Sequence, residues 1–420
     1  MAFSQRLSRR TLTKLTVAAA ATLPVTRTAW AQDVATPIGE PATPEMTGLP
    51  PLPDGATPVV EGLFNPRFMA FGSDGTLYVT EQGVGGDEVI SPPATGTGEA
   101  SPEAVSATPV TGGAEATPVA ETPASTRGYT GQVSMFAPDG TQTVLVEGLP
   151  SYSDGVGPHG LALGAGEVYY AIGGMGVGMG IDPLPDENTV NRFVLDTGEA
   201  NVIADIGAYE EANNPDGMDV NPNLYMIEHG PEGNLVVADA GGNTIYNVDI
   251  ASGEFSLAGV VPDLTALTGV EPTPDMGSGQ PVPTAVVIDQ AGAVNVGLLR
   301  ENWPADAPSV LTMAADGTFT PVVLQGSLAW TVALAVGPDG NLYASQLFGE
   351  MTDQGPGPGR VVRITADGMV ESVVENIMMP HGLTFDVEGN LYVAINTLMS
   401  GPGMPAGQII RMDGIGAAIG

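Results

Sequence analysis

Cysteine is absent from all 420 residues. That removes disulfides, thiol catalysis, Cys-bound zinc and iron–sulfur sites. Histidine is scarce, at three, and no His-x-x-x-His zinc spacing occurs. No Gly-x-Ser-x-Gly elbow marks a serine hydrolase. Aromatic residues make up only 5% and charged residues only 14%. Positive charge is the scarcest feature. Arg6, Arg9, Arg10, Lys14 and Arg27 lie in an acid-free first 31 residues, and beyond them stand seven Arg, no Lys and all 48 acids. A surface of that sign repels phosphate backbones and anionic lipid, so nucleic acid and polybasic membrane binding are set aside. Cations are the plausible ionic partners, although an acidic solvation shell that keeps an exported protein soluble explains the charge more simply. The apolar stretch Leu15 to Val25 is too short to span a bilayer.

Glycine and proline are abundant, at 58 and 37 residues. Both break helices, which argues against a long helical bundle. The hydrophobic share of 43% supports a large core, so full disorder is excluded and a turn-rich all-β fold with disordered inserts fits.

The N-terminus reads as an export signal over residues 1–31. Ser8-Arg9-Arg10-Thr11-Leu12-Thr13-Lys14 is a twin-arginine pattern, and Ala29-Trp30-Ala31 is a small-x-small cleavage site. The mature chain is expected to be soluble, monomeric and outside the cytoplasmic membrane, with no membrane span. Residues 32–56 read as a disordered linker and 84–128 as a low-complexity insertion, because Ala, Thr, Pro, Glu and Gly offer too little apolar pattern to offset ordering entropy. Gly269 to Gln280 reads as a shorter loop of the same kind.

The rest, residues 57–420, is a repeat. One unit reads Pro-x-x-apolar-x-apolar, a turn ending in Gly, and an alternating apolar strand. Pro66-Arg67-Phe68-Met69-Ala70-Phe71 with Asp74-Gly75-Thr76-Leu77-Tyr78-Val79 is one copy, and Pro380-His381-Gly382-Leu383-Thr384-Phe385 with Gly389-Asn390-Leu391-Tyr392-Val393 is another. The marker glycines are Gly75, Gly166, Gly233, Gly292, Gly340 and Gly389, spaced by 91, 67, 59, 48 and 49 residues; without 84–128 the first spacing falls to 46. Such a period in short strands is the signature of propeller blades. Outer hairpins turn at Asp139-Gly140 and Asp367-Gly368, where Asp-Gly supplies positive φ. The sequence therefore predicts a six-bladed β-propeller of four-stranded antiparallel blades. The ordered part begins on Thr57-Pro58-Val59-Val60-Glu61-Gly62-Leu63, a fourth strand without a third. It ends on Gly407 to Gly414, a third strand without a fourth. The N-terminal strand is predicted to complete the last blade and close the ring, removing two open edges.

In a propeller, inner-strand starts and second-strand ends gather on one face of the central channel. The starts are Arg67, His159, Tyr225, Thr284, Val332 and His381; the ends are Glu81, Ile172, Asp239, Leu298, Gln346 and Ile395, with Asn396 just beyond. The polar ligand-binding candidates are thus Arg67, Glu81, His159, Asp239, Gln346, His381 and Asn396. Imidazoles and carboxylates together could bind a divalent metal or do acid–base work. Alternatively, each Pro-His-Gly is a turn whose imidazole bonds backbone, and the acids cap turns. Asn214, Asp216, Asp219 and Asn221 form an oxygen-rich stretch suited to calcium, which Asx-turn chemistry explains equally. His229, at the other end of its strand, reads as structural. Gly173 to Gly180 lacks the Gly-Lys-Ser/Thr of a phosphate loop and reads as a flexible connection between strands.

Pro158-His159-Gly160, the segment Ala208-Tyr209-Glu210-Glu211-Ala212-Asn213-Asn214-Pro215-Asp216-Gly217, Asp219-Val220-Asn221-Pro222 and Val237-Ala238-Asp239-Ala240-Gly241-Gly242-Asn243 resemble the ScyD/ScyE family. These are exported NHL-like propellers, named after members linked to biosynthesis of the sunscreen scytonemin. The resemblance covers about Thr57 to the C-terminus apart from 84–128, and implies fold and export but no assigned reaction. Two departures touch the channel face. Asn221-Pro222-Asn223-Leu224-Tyr225 replaces the family's Asn-Pro-Tyr-Gly, and Pro66-Arg67-Phe68-Met69 replaces Pro-x-Gly-Leu. Three functional readings follow. The first is a binding or scaffold protein for a small molecule or another protein, with no catalytic constellation. The second is a calcium-dependent hydrolase resembling the lactonase and gluconolactonase propellers, through Glu81, Asp239 and Asn396. The third is a quinone-cofactor sugar dehydrogenase, because the twin-arginine route often carries cofactor-loaded proteins.

Overall fold

The computed structural model of the chain describes residues 49–90, 124–273, 279–300, 303–304, 306–352 and 355–417. The export signal and most of the predicted linker lie outside the described residues.

Alternating apolar strands punctuated by Gly turns pair into six antiparallel sheets. Blade 1 consists of Pro66–Phe71, Leu77–Glu81, Thr126–Phe136 and Gln142–Tyr152. Blade 2 consists of Pro158–Leu163, Glu167–Ile172, Thr189–Val194 and Glu199–Asp205. Blade 3 consists of Leu224–His229, Leu235–Asp239, Thr244–Val248 and Phe255–Val260. Blade 4 consists of Pro283–Ile288, Val294–Leu298, Val310–Met313 and Phe319–Pro321. Blade 5 consists of Thr331–Val336, Leu342–Thr352, Gly355–Ile364 and Val370–Ile377. Blade 6 consists of Leu383–Phe385, Leu391–Ile395, Gly407–Met412 and, from the other end of the chain, Thr57–Leu63. The six marker glycines sit in the tight turn after each inner strand, all at φ between 78° and 84°, where a side chain would be strained. Innermost strands contact one another in cyclic order and the circle closes between blades 6 and 1.

The closure is as predicted. Thr57 pairs with Arg411 and Leu63 with Gly407. Val60 and Leu63 are buried with Ile409, Met69, Leu77, Val79 and Phe136, so this strand seals the last blade onto the first. A large core runs between the blades, built of Val, Leu, Ile and buried Tyr.

Order extends into both ends of the segment read as an insertion. Glu88–Val89 pairs with Thr126–Arg127, while 91–123 lie outside the described residues. Glycines, which look like low complexity, allow this pairing: a Cβ on Gly86 would stand 2.7 Å from the Gly128 Cα. Gly173 to Gly180 also differs from its reading. It holds a helical turn, Gly176–Met179, anchored by the Gly176 N–H donating to Glu187 Oε2 at 3.1 Å. Two further short helices are Ile206–Asn213, capped by Asp205, and Leu264–Thr268, capped by Asp263. Among the described residues no helix is long and apolar enough to cross a membrane.

Candidate functional site on the channel face

Register slips create the site. In blade 1 the pairing shifts between Pro66 and Met69, in blade 2 between Pro158 and Leu161, and in blade 3 between Leu224 and Ile227. A bulge re-aims a side chain out of the pleat, and the residues within these slips, Arg67, His159 and Tyr225, meet near the axis. His381 of blade 6 joins them. The Pro-His-Gly glycines permit the approach: a Cβ on Gly160 would lie 2.5 Å from the Tyr225 carbonyl oxygen, and one on Gly382 would lie 2.1 Å from that of Arg67.

The four side chains form a plug. Tyr225 Oη and His381 Nε2 are 2.7 Å apart, joining blades 3 and 6 across the axis. The His159 ring lies 4.4 Å from Tyr225 and 6.5 Å from His381, and Phe68 meets His381 edge-on at 5.1 Å. Arg67, His159 and His381 are buried, whereas Tyr225 keeps part of its surface accessible. Arg67 Nη2 donates to Gln82 Oε1 at 2.9 Å and to the Gly155 carbonyl at 2.7 Å.

The electrostatics follow from burial first and one buried cation second. Burial lowers the Arg67 guanidinium to about 10. Burial, and then the charge of Arg67, lower His159 to about 3. The same two causes hold His381 well below the ordinary imidazole range, with His159 adding to them. Burial raises Tyr225 against the opposing pull of Arg67. Both imidazoles are therefore neutral at pH 7.

Three of the other candidates, Glu81, Asp239 and Gln346, are hydrogen-bonded to neighbouring protein groups. Glu81 accepts from the Phe64 N–H at 2.8 Å, Gln132 Nε2 at 2.6 Å and Ser134 Oγ at 2.7 Å, and burial raises its pKa against these bonds. Asp239 Oδ1 accepts three backbone N–H groups, of Asn223, Gly241 and Gly242. Gln346 donates to the Phe348 carbonyl and accepts from Arg360. Asn396 is different: it is buried, sits at φ 57°, and neither amide atom has a hydrogen bond among the described residues. His229 bonds the Leu163 carbonyl at 2.8 Å, tying blade 3 to blade 2.

The oxygen-rich stretch is held by turn-type bonds. Asn214 donates to the Met218 carbonyl, Asp216 accepts from the Met218 N–H and from Asn243, Asp219 is exposed, and Asn221 lies against Gly178. Among the described residues no three His, Asp or Glu side chains gather as a metal site. The Asp216–Asn243 bond, at 2.6 Å, links two of the segments that carry the family resemblance. Glu210, also in the first of them, is fully buried, and a Cβ on Gly242 would touch both its carboxylate and that of Asp239.

Sequence reasoning placed Tyr225 on the channel face without counting it among the polar candidates, and it passed over Gln82. Tyr225 occupies the strand-start position of His159 and His381, and that equivalence is the signal that marks it.

The sequence matches no protein-family profile and no curated protein. Solved structures resemble it at the level of the coordinates. The catalytically inactive virginiamycin B lyase of Staphylococcus aureus shares 14% identity at a TM-score of 0.46, over 85% of this chain and 98% of that one. A putative gluconolactonase shares 13% at 0.46, over 89% and 97%. A putative oxidoreductase (glucose dehydrogenase) of a Thermus species shares 17% at 0.46, over 85% and 98%.

Proposed function

We propose that this is an exported propeller that binds a small ligand on its channel face, without catalysing a reaction. The single observation that carries the reading is a group of buried polar atoms on that face with no hydrogen bond among the described residues: Arg67 Nε, His381 Nδ1 and both amide atoms of Asn396. A buried donor or acceptor left unmade costs about 1–3 kcal/mol, which an ordered water or a bound ligand recovers. Export through the twin-arginine route and kinship with the ScyD/ScyE propellers belong to the same proposal. They rest on Ser8 to Lys14 and on the family-like segments that meet through Asp216 and Asn243.

The calcium-dependent hydrolase reading has less support. Two of its three oxygens, those of Glu81 and Asp239, already accept three protein N–H or O–H groups each. The test uses the full mature chain. Native mass spectrometry of the purified protein should find a small molecule that an Asn396→Leu variant does not retain. Hydrolysis of simple lactones that a folded His381→Gln variant loses would instead make the protein an enzyme and refute the reading.

A further inference from the structure

Seven arginines follow residue 31, and the structure accounts for the others more fully than for Arg67. Arg127, Arg192, Arg363 and Arg411 pair with carboxylates. Arg360 binds Gln346 and the Ser327 carbonyl near the surface. Arg300 is buried like Arg67, but three carbonyls, of Pro304, Ala307 and Leu328, surround its guanidinium. Arg67 has one carbonyl and one neutral amide oxygen, and no ion pair among the described residues. In a chain of formal net charge −36, this is a buried positive charge that no carboxylate pairs among the described residues. Such a charge is costly unless something anionic shares its site.

The groups around it are arranged as donors. If the Tyr225 hydroxyl donates to His381 Nε2, the ring proton sits on Nδ1, whose one neighbouring acceptor among the described residues is the Arg67 backbone, not held at hydrogen-bond geometry. Asn396 brings an unpartnered amide N–H from the same blade, and it follows His381 at the same sequence separation as Gln82 follows Arg67. Two residues on, Leu398 approaches Gly155, whose carbonyl holds Arg67. Leu398 and Met399 are only half-buried and pack against Val332, Leu347, Phe348 and Met379.

We infer that the channel face binds the carboxylate of a small organic acid, held by Arg67, His381 Nδ1–H and the Asn396 amide. This deepens the channel-binding reading above and rests on it. A carboxylate fits because one buried cation balances one negative charge, and because a guanidinium and two N–H groups match two carboxylate oxygens. A phosphate dianion would leave an excess negative charge, since both imidazoles are neutral.

The test is thermal denaturation of the full mature chain at pH 7.5, with sodium acetate replacing sodium chloride at constant ionic strength. Acetamide and inorganic phosphate serve as the comparison probes. The wild type should show a saturable rise in Tm with acetate. Arg67→Met should abolish it, and Asn396→Leu should weaken the apparent affinity about tenfold, as loss of one bond to a charged group implies. An acetate response unchanged in Arg67→Met, or in Asn396→Leu should Arg67→Met fail to fold, overturns the proposal. Acetamide or phosphate acting as strongly as acetate overturns the carboxylate while leaving a channel ligand in place. No response to any probe also overturns it, and the mass-spectrometric test then judges the channel reading alone.

Discussion

Lowering the pH should destabilise this protein through His159, and the size of the effect follows from the ring's surroundings. The imidazole has no exposed surface, and its two nitrogens face the carbonyls of Leu224 at 3.1 Å and Gly155 at 3.4 Å. A neutral ring carries one proton and satisfies one of them. The charged ring would satisfy both, yet burial and Arg67 hold the pKa at about 3, against a reference value of 6.5. Between those two values the unfolded chain binds a proton that the native chain does not. Stability therefore falls as pH drops below about 6.5, by roughly 2–3 kcal/mol at pH 4.5. His381 acts in the same direction. Glu81, Glu187 and Glu228, whose pKa values burial raises, act in the opposite one, so the total pH dependence is not diagnostic. The comparison with His159→Asn is, because it removes the titration and keeps a short donor. Urea unfolding at pH 7.0 and pH 4.5 should show the wild type losing roughly 2–3 kcal/mol more than the variant. Parallel losses, or a His159 Cε1 proton resonance that titrates near pH 6.5, would refute the reasoning.

Leu63→Ala should cost about 3 kcal/mol in urea unfolding, since Leu63 is 1% exposed in the seam that closes the ring. A change below about 0.5 kcal/mol, as at an ordinary surface site, would mean that strand 57–63 does not seal the circle. Gly382→Ala should lower Tm steeply, because the new Cβ meets the Arg67 carbonyl oxygen at 2.1 Å; a variant that melts like the wild type would show that blades 6 and 1 do not approach so closely. Neither calcium nor EDTA should move the Tm of the mature chain, and a clear shift with either, checked by elemental analysis, would revive the calcium hydrolase.

Much of the architecture was legible because it repeats. Six Gly turns of positive φ and the alternating strands after them announce the blades one at a time, and the unmatched ends, Thr57 to Leu63 and Gly407 to Gly414, announce the closure. Those are local signals of chain geometry. The ordered ends of 84–128 were not legible, because Gly86 and Gly128 read as low complexity until their backbones are seen in contact. The candidate site was half legible. Equivalent positions put Arg67, His159, Tyr225 and His381 on one face, but nothing in the sequence separates Glu81 or Asp239 from them.

Composition and period alone determined the fold class, the blade number, the acidic character and the scarcity of cations, since each depends on counts or on spacing along the chain. Tertiary structure alone decided which polar groups are spent and which are left over. Glu81 looks as reactive as His381 on the page of letters. Only the partners that Phe64, Gln132 and Ser134 bring to it, from elsewhere in the sequence, occupy its oxygens, while Arg67, His381 and Asn396 keep atoms without a hydrogen bond among the described residues. Hydrogen bonding acts at about 3 Å, and which residues come that close is settled by how blades pack rather than by their order in the chain.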